Sequence, residues 1–321
     1  MITFTATSVA LCSTGGYGQT TEELPEEGWI KDFVVAAMDS RIWSPTTLAR
    51  QTPVVLSSQL LGFPATARVL VVNCDDLGMD EAINAAVFAS IEHGIAASCS
   101  LLVPPPAARS AMDMLRQRPS VPFGIHLTLV RDAIDLPWSP LAPGTDSLLD
   151  ASGRFFTADD RDTLLRQARI EDVEREFRAQ IDAVARAGLS PTHLDFHCLA
   201  DGGRPDILDL TVSLAVEHGL AVRVWLDAGL EEMRRRRLPV VDNPFLDSFS
   251  LDIADKPAEY ERLLRDLPAG LTEWAVHPST DPDSPVRYGD YEFLTSPQAR
   301  ELIRKEGITV IDYRPIQAAW R

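Results

Sequence analysis

The chain has 321 residues, 45% of them hydrophobic, and a formal net charge of −17 at pH 7. That length can bury a full core in one barrel-sized domain or two smaller ones. The charge argues against a nucleic-acid backbone or an anionic membrane as partner, because both would repel it, although acidity of this size also serves plain solubility.

Cys12, Cys74, Cys99 and Cys198 are scattered without a C-x-x-C spacing, so neither a disulfide framework nor a thiolate zinc site is expected. No window reaches the roughly 18 to 20 apolar residues of a membrane span. Met1 to Cys12 lacks the cationic start of a signal peptide, and the expected location is cytoplasmic.

Residues 1–60 form a distinct N-terminal extension. They hold Gly, Thr and Ser clusters and the acidic run Glu22 to Glu27, with no sustained period, so a weakly ordered segment is expected. Asp32 to Met38 would form one or two helical turns within it. Residues 61–321 read as a single α/β domain. It opens on Val69-Leu70-Val71-Val72, a buried parallel strand running into Asn73-Cys74-Asp75-Asp76-Leu77-Gly78.

Asp80 is placed as the N-cap of a helix that runs to about Glu92 and stops at His93-Gly94. A strand over Ala96 to Val103, a helix over Ala107 to Arg118 and a third strand over Val121 to Leu129, carrying His126, follow. Asp132 to Thr157 is Pro- and Gly-rich without a period and reads as a substrate-facing excursion. Val173, Phe177, Ile181 and Val184 mark a helix from Ile170 to Ala187, stopped by Gly188.

Pro191 to His197 gives a short strand and the loop after it, then irregular chain to Arg204. A helix over Pro205 to Glu217, a strand over Leu220 to Trp225, a helix over Lys256 to Leu267 and a strand over Leu271 to Val276 come next. Ser279 to Asp290 reads as a loop, followed by a helix over Pro297 to Lys305 and a last strand over Ile308 to Ile311. The four arginines Arg234 to Arg237 read as a solvated face. About seven β/α units make a parallel sheet, and a (β/α) barrel-like, distorted TIM-type fold is the expected solution, with a doubly wound sheet as the fallback.

The notable polar residues cluster at strand ends: Asp75 and Asp76 after the first strand, His126 in the third, and His197 and His277 after later ones. In a barrel those ends meet at one mouth. A carboxylate and two imidazoles brought together there suit a zinc-like or harder divalent ion with positions left open for water and substrate. Of the paired aspartates, Asp75 is the better placed to take a proton from water, and His277, a residue type that titrates near neutrality, to donate one to a leaving group.

Plainer readings compete. An acidic pair after a first strand also occurs in phosphoacceptor receiver domains, but those need a strand-end lysine, and Lys31, Lys256 and Lys305 end no strand. His93 and His218 sit before Gly at helix ends and read as structural. His193 and Asp195 share one strand face and read as support behind the ligands. Cys74 and Cys198 read as small buried hydrophobes. Arg223 fits a barrel salt bridge as well as a substrate contact.

Four motifs in order lift the signal above these: Asn73-Cys74-Asp75-Asp76-Leu77-Gly78, Phe123-Gly124-Ile125-His126-Leu127-Thr128-Leu129, Pro191-Thr192-His193-Leu194-Asp195-Phe196-His197 and Val276-His277-Pro278. Together they resemble the YdjC-like carbohydrate deacetylases, over about Leu60 to Ile316, with further similarity at Asp150 to Phe156 and Tyr291 to Ser296. The resemblance implies a barrel-like, metal-dependent hydrolase that removes acetyl groups from N-acetylated amino sugars, typically chitooligosaccharides. It implies one divalent ion, Mg2+ or Zn2+, on Asp76, His126 and His197, with Asp75 as base and His277 as acid.

The chain departs from the family pattern after His197. Later histidines are missing there, Asp201 stands at the place of the last, and Phe196 replaces a small serine. That stretch bears on which sugar is bound. The expected activity is therefore amide hydrolysis of a small carbohydrate substrate, with Arg223 or a backbone N–H near the oxyanion. The alternatives are another acylated sugar, such as an O-acetyl ester or a lipid-linked sugar, or a non-catalytic sugar-binding barrel. A homodimer is compatible with all three.

Overall fold

The computed structural model describes residues 55–251 and 255–321. The Asp32 to Met38 turns and Cys12 lie outside the described residues. A helical turn at Ser57–Leu60 comes first, and its Ser57 and Ser58 N–H groups donate to the two carboxylate oxygens of Asp242 at 2.7 and 3.1 Å.

The sheet begins with β1 (Arg68–Leu77), a ten-residue strand with Val69 to Val72 at most 1% exposed. Then come β2 (Ser98–Leu101) and β3 (Phe123–Leu127). A small separate ladder pairs β4 (Val130–Arg131) with β5 (Phe156–Thr157). β6 (His193–Phe196), β7 (Ala221–Val222), β8 (Leu246–Asp247), β9 (Gly270–Val276) and β10 (Ile308–Ile311) complete the main sheet.

Every ladder in it is parallel, in the order β7-β6-β3-β2-β1-β9-β8. One edge of β1 is shared: Arg68 to Val71 pair with β10, and Asn73 onward with β2. The result is a half-barrel wrapped by helices. Among the described residues no ladder joins β7 to β8, so the barrel stays open on that side.

Most elements lie where the pattern puts them. Asp80 caps the Glu81–His93 helix, its carboxylate accepting from Ile83 N at 2.8 Å. The Ile170–Arg186 helix buries Val173, Phe177, Ile181 and Val184, all at most 3% exposed.

Three expectations change. The segment read as a loop over Ser279 to Asp290 contains the start of a helix, Pro285–Thr295, with Pro at the first turn. The chain does not end on β10 but on a further helix, Tyr313–Trp320. The excursion over Asp132 to Thr157 is mostly not substrate-facing. Its Ser147 and Ala142 N–H groups dock on Asp172 and Glu176 of the long helix, and from this stretch Asp132 lines the cavity. None of the described helices is long and apolar enough to cross a membrane.

Candidate active site

The last residues of β1 set the site. In a regular strand Asp75 and Asp76 would point to opposite faces. Here the register shifts between Cys74 and Leu77, and Asp76 takes a left-handed φ of 67°. The alternation breaks, and both carboxylates line one cavity of about 260 Å³. A non-glycine residue with positive φ costs of order 1–3 kcal/mol, and Asp is among the side chains that tolerate it best.

Neighbouring strands bring the imidazoles to the same point. His126 in β3 holds Nε2 3.5 Å from Asp76 Oδ1, and its Nδ1 lies 2.9 Å from Asp195 Oδ1. His197, just past β6, holds Nδ1 3.2 Å from the same Asp76 oxygen. These three buried side chains place one donor atom each within 4.8 Å of one another. His277, just past β9, has Nε2 4.0 Å from Asp75 Oδ2 and Nδ1 2.9 Å from Ser248 Oγ. Its own N–H donates to Asp290, which also pairs with Lys256 Nζ at 2.6 Å and accepts from the Tyr260 hydroxyl.

Behind this group lies an ion-pair hub. Arg223 grips Asp75 with two bonds of 2.8 and 2.9 Å, and reaches Asp195 at 3.0 Å and Glu273 at 2.7 Å. Ser100 Oγ donates to Asp195, Asn73 Nδ2 donates to Asp75, and the Tyr313 hydroxyl donates to Glu273. His193 does not reach the cavity. Its ring stacks on Tyr313 with centroids 3.6 Å apart and lies 3.3 Å from Ser100 Oγ. A Cβ at position 124 would sit 2.4 Å from that ring, which is why β3 carries Gly124 two residues before His126.

The electrostatics follow from this packing. Burial alone would raise the Asp75 pKa, yet the Arg223 guanidinium and His126 hold it below the usual carboxylate range. Asp76 is held well below it against burial, with Arg287 as the main opposing charge and His126 and His197 adding hydrogen bonds. Burial works to lower the His126 pKa, but Asp195 and Asp75 override it and raise the value to about 9. His197 is likewise raised despite burial, by Cys198 and Asp132.

Two side chains of the site were not legible as such in the sequence. Asp132 Oδ1 lies 2.6 Å from His197 Nε2, and Arg287 Nη2 lies 2.8 Å from Asp76 Oδ2. Asp132 sits in a stretch without a period, and Arg287 in the helix that reads as loop. The one usable signal for Asp132 was its place, five residues after the β3 strand end that supplies His126.

The stretch after His197 also differs from expectation. Cys198 is not a small buried hydrophobe but solvent-exposed, with a left-handed φ of 56°. Cys74 is buried as expected. Asp201 lines the same cavity, and its carboxylate accepts from Trp225 N and Leu226 N at 3.1 and 3.0 Å, before the Asp227–Arg235 helix, while burial raises its pKa to about 6. Aromatic rings of Phe196, Trp225, Phe245 and Phe249 complete the cavity wall.

Comparison with known proteins gives this geometry a setting. A family model described as YdjC-like protein matches residues 69–305. A carbohydrate deacetylase of Thermus thermophilus is 32% identical over 255 residues, covering 74% of this chain and 89% of that protein. A carbohydrate deacetylase of Clostridium beijerinckii is 26% identical over 256 residues, covering 77% of this chain and 99% of that protein. A crystal structure of an Enterococcus faecalis protein shares the fold, with a TM-score of 0.65 at 23% identity over 77% of this chain and 98% of the other.

Proposed function

The chain belongs to the YdjC-like protein family, and on that premise we propose that it is a metal-dependent carbohydrate deacetylase that hydrolyses the acetamide of an N-acetylated amino sugar. The observation that carries this reading is the convergence of Asp76, His126 and His197 on one point at the floor of an aromatic-walled cavity, with Asp75 and His277 on the same wall. The donor set fits a divalent cation. It offers one carboxylate oxygen and two imidazole nitrogens, a combination suited to Zn2+ or a harder ion such as Mg2+.

Asp76, His126 and His197 would hold that ion. When bound, it polarises the carbonyl and acidifies the attacking water, which lets a carboxylate with as low a pKa as Asp75 serve as the base. Asp75 is kept ionised by Arg223 and Asn73, with its oxygens fixed toward the cavity. It takes one proton from water as the oxygen adds to the acetyl carbon. His277 delivers a proton to the amine nitrogen as the C–N bond breaks, leaving acetate and the amino sugar. Ser248 on Nδ1 turns the Nε2 edge of His277 toward Asp75 and the cavity.

A cavity of about 260 Å³ lies just under the roughly 300–1,000 Å³ of pockets for drug-sized ligands. A mono- or short oligosaccharide matches that space, with apolar ring faces against Trp225 or Phe249. Arg223 acts on the reaction through Asp75 in this scheme, since each of its three nitrogens already faces a buried carboxylate.

Acetate release from N-acetylglucosamine and its oligomers, measured before and after EDTA and on return of Mg2+ or Zn2+, tests the reading. Activity is expected to vanish with the metal and in His126→Ala. Turnover that survives either change overturns it. O-acetylated sugars in the same panel decide the acyl linkage, and faster release from the ester would replace the amide assignment.

A further inference from the structure

We propose that Asp132 is a positioning residue that commits His197 to face the metal through Nδ1. The proposal rests on the metal-site reading above. The two imidazoles of the site present different nitrogens to Asp76. His126 offers Nε2 and His197 offers Nδ1. A neutral ring offers one nitrogen to a cation while the other carries the proton, and an acceptor on that N–H fixes the tautomer and the ring orientation. For His126 that acceptor is Asp195, clamped by Arg223 and Ser100 within the sheet. For His197 it is Asp132, whose Oδ1 lies 2.6 Å from Nε2.

Among the described residues, the contacts that the His197 ring makes with His126, Trp138 and Cys198 are less directional. The rings of His126 and Trp138 lie at centroid distances of 5.2 and 5.8 Å, and the Cys198 sulfur stands 3.5 Å from Nε2. The His197 N–H still donates to Leu127 O of β3 at 3.0 Å, which holds its backbone but leaves the rotation of its ring to side-chain partners.

Asp132 is well anchored for the task. The residue before it, Arg131, is buried and donates from Nε to Phe155 O at 2.7 Å while pairing with Asp150. This pins the backbone of Asp132 from outside the sheet. The second oxygen of Asp132 lies 4.0 Å from Arg287 Nη2, the same nitrogen that holds Asp76. Thus the far sides of two candidate ligands are tied through one guanidinium, and the irregular segment from Arg131 to Phe155 meets His197 through the Asp132 carboxylate and the Trp138 ring.

The test is a calorimetric titration of Zn2+, and separately of Mn2+, into metal-stripped full-length protein and three variants, Asp132→Ala, Asp132→Asn and Cys198→Ala, with thermal melts as a folding control. Asp132→Ala is expected to weaken metal affinity about 10–100-fold without lowering the melting temperature of the metal-free protein. Asp132→Asn keeps an oxygen that accepts the Nε2 proton and is expected to stay within about threefold of the parent. In the zinc-loaded parent, long-range imidazole 15N spectra are expected to show His197 protonated at Nε2, and a mixed or inverted pattern in Asp132→Ala.

An Asp132→Ala protein that binds as tightly as the parent overturns the proposal. So does an Asn variant as weak as the Ala variant, because charge rather than orientation would then be the cause. A second equivalent of Zn2+ that binds the parent and is lost in Cys198→Ala also overturns it, since Asp132, His197 and Cys198 would then be ligands of their own ion. If the parent binds neither metal, the deacetylase reading falls together with this one, whereas a parent that binds and an unaffected Asp132→Ala protein remove this inference alone.

Discussion

Two regions of the molecule bury acidic groups, and they treat them in opposite ways. Around Arg223, burial pushes the pKa values of Asp75 and Asp195 up, and the guanidinium brings both below the ordinary range. On the long helix, Glu176 is fully buried among neutral donors, the Ala142 N–H at 2.9 Å and Gln180 Nε2 at 2.8 Å. There burial wins, and the pKa is pushed up to about 7. Depth alone therefore does not keep a carboxylate charged. The opposing guanidinium does so for Asp75 and Asp195, but not for Glu273, which Arg223 reaches at 2.7 Å and whose pKa burial still keeps raised.

The largest effect expected from disturbing this contrast is on turnover. Asp75→Asn removes the proposed proton acceptor and should lower kcat by about 10²–10⁴-fold, roughly 3–5 kcal/mol of barrier. Zinc affinity should fall much less, because the base is not a ligand in the proposed scheme. Parallel measurement of acetate release and calorimetric zinc binding separates the two roles, and equal loss of both would make Asp75 a ligand. Next in size is Arg223→Met, which leaves three buried carboxylates without their common cation. Removing one partner of a buried ion pair costs about 3–5 kcal/mol, to be read from urea denaturation of the metal-free protein.

The contrast was partly visible in the sequence. Apolar runs ending in Asp75-Asp76, His126, His197 and His277 mark strand ends, and strand ends of a parallel sheet converge, so their meeting could be read from order alone. Opposing charges were harder to see. Arg223 looked equally suited to a salt bridge or a substrate, because Asp75 and Glu273 lie 148 and 50 residues away. Arg287 was hidden by Pro282, Pro285 and Gly289, which punctuate a helix so densely that it reads as a loop. Asp132 acts on a histidine 65 residues later from a segment whose packing depends on a buried arginine, and no local period encodes that.

A smaller effect tests the wall behind the hub. Gly124→Ala would drive a methyl group into the His193 ring, which has Tyr313 stacked against it and Ser100 at its edge. Overpacking of this kind costs about 1–3 kcal/mol. The loss should appear in the denaturation midpoint, and it should be relieved in part when His193 is also replaced by a smaller residue. Additive losses in the double variant would show that the ring is not what excludes the side chain.

The smallest effect is the most specific to the second region. Glu176 has a folded-state pKa of about 7 against an ordinary 4.5. Below pH 4.5 both folded and unfolded chains hold this proton, and the group costs nothing. As pH rises toward 7, the unfolded chain gives up the proton first, so stability falls, and above that value the penalty is constant. The shift corresponds to about 3 kcal/mol at most. Glu176→Gln removes the titration but sets two amide nitrogens facing each other at Gln180, a loss of about 1 kcal/mol. The variant should therefore be slightly less stable than the parent near pH 4.5 and more stable by about 1–2 kcal/mol at pH 8. Urea denaturation of both proteins across that range reads the difference directly, with titrations elsewhere cancelling between them. A difference that does not change with pH would mean that Glu176 stays ionised in the folded protein, and the contrast with the Arg223 hub would then rest on something other than the missing cation.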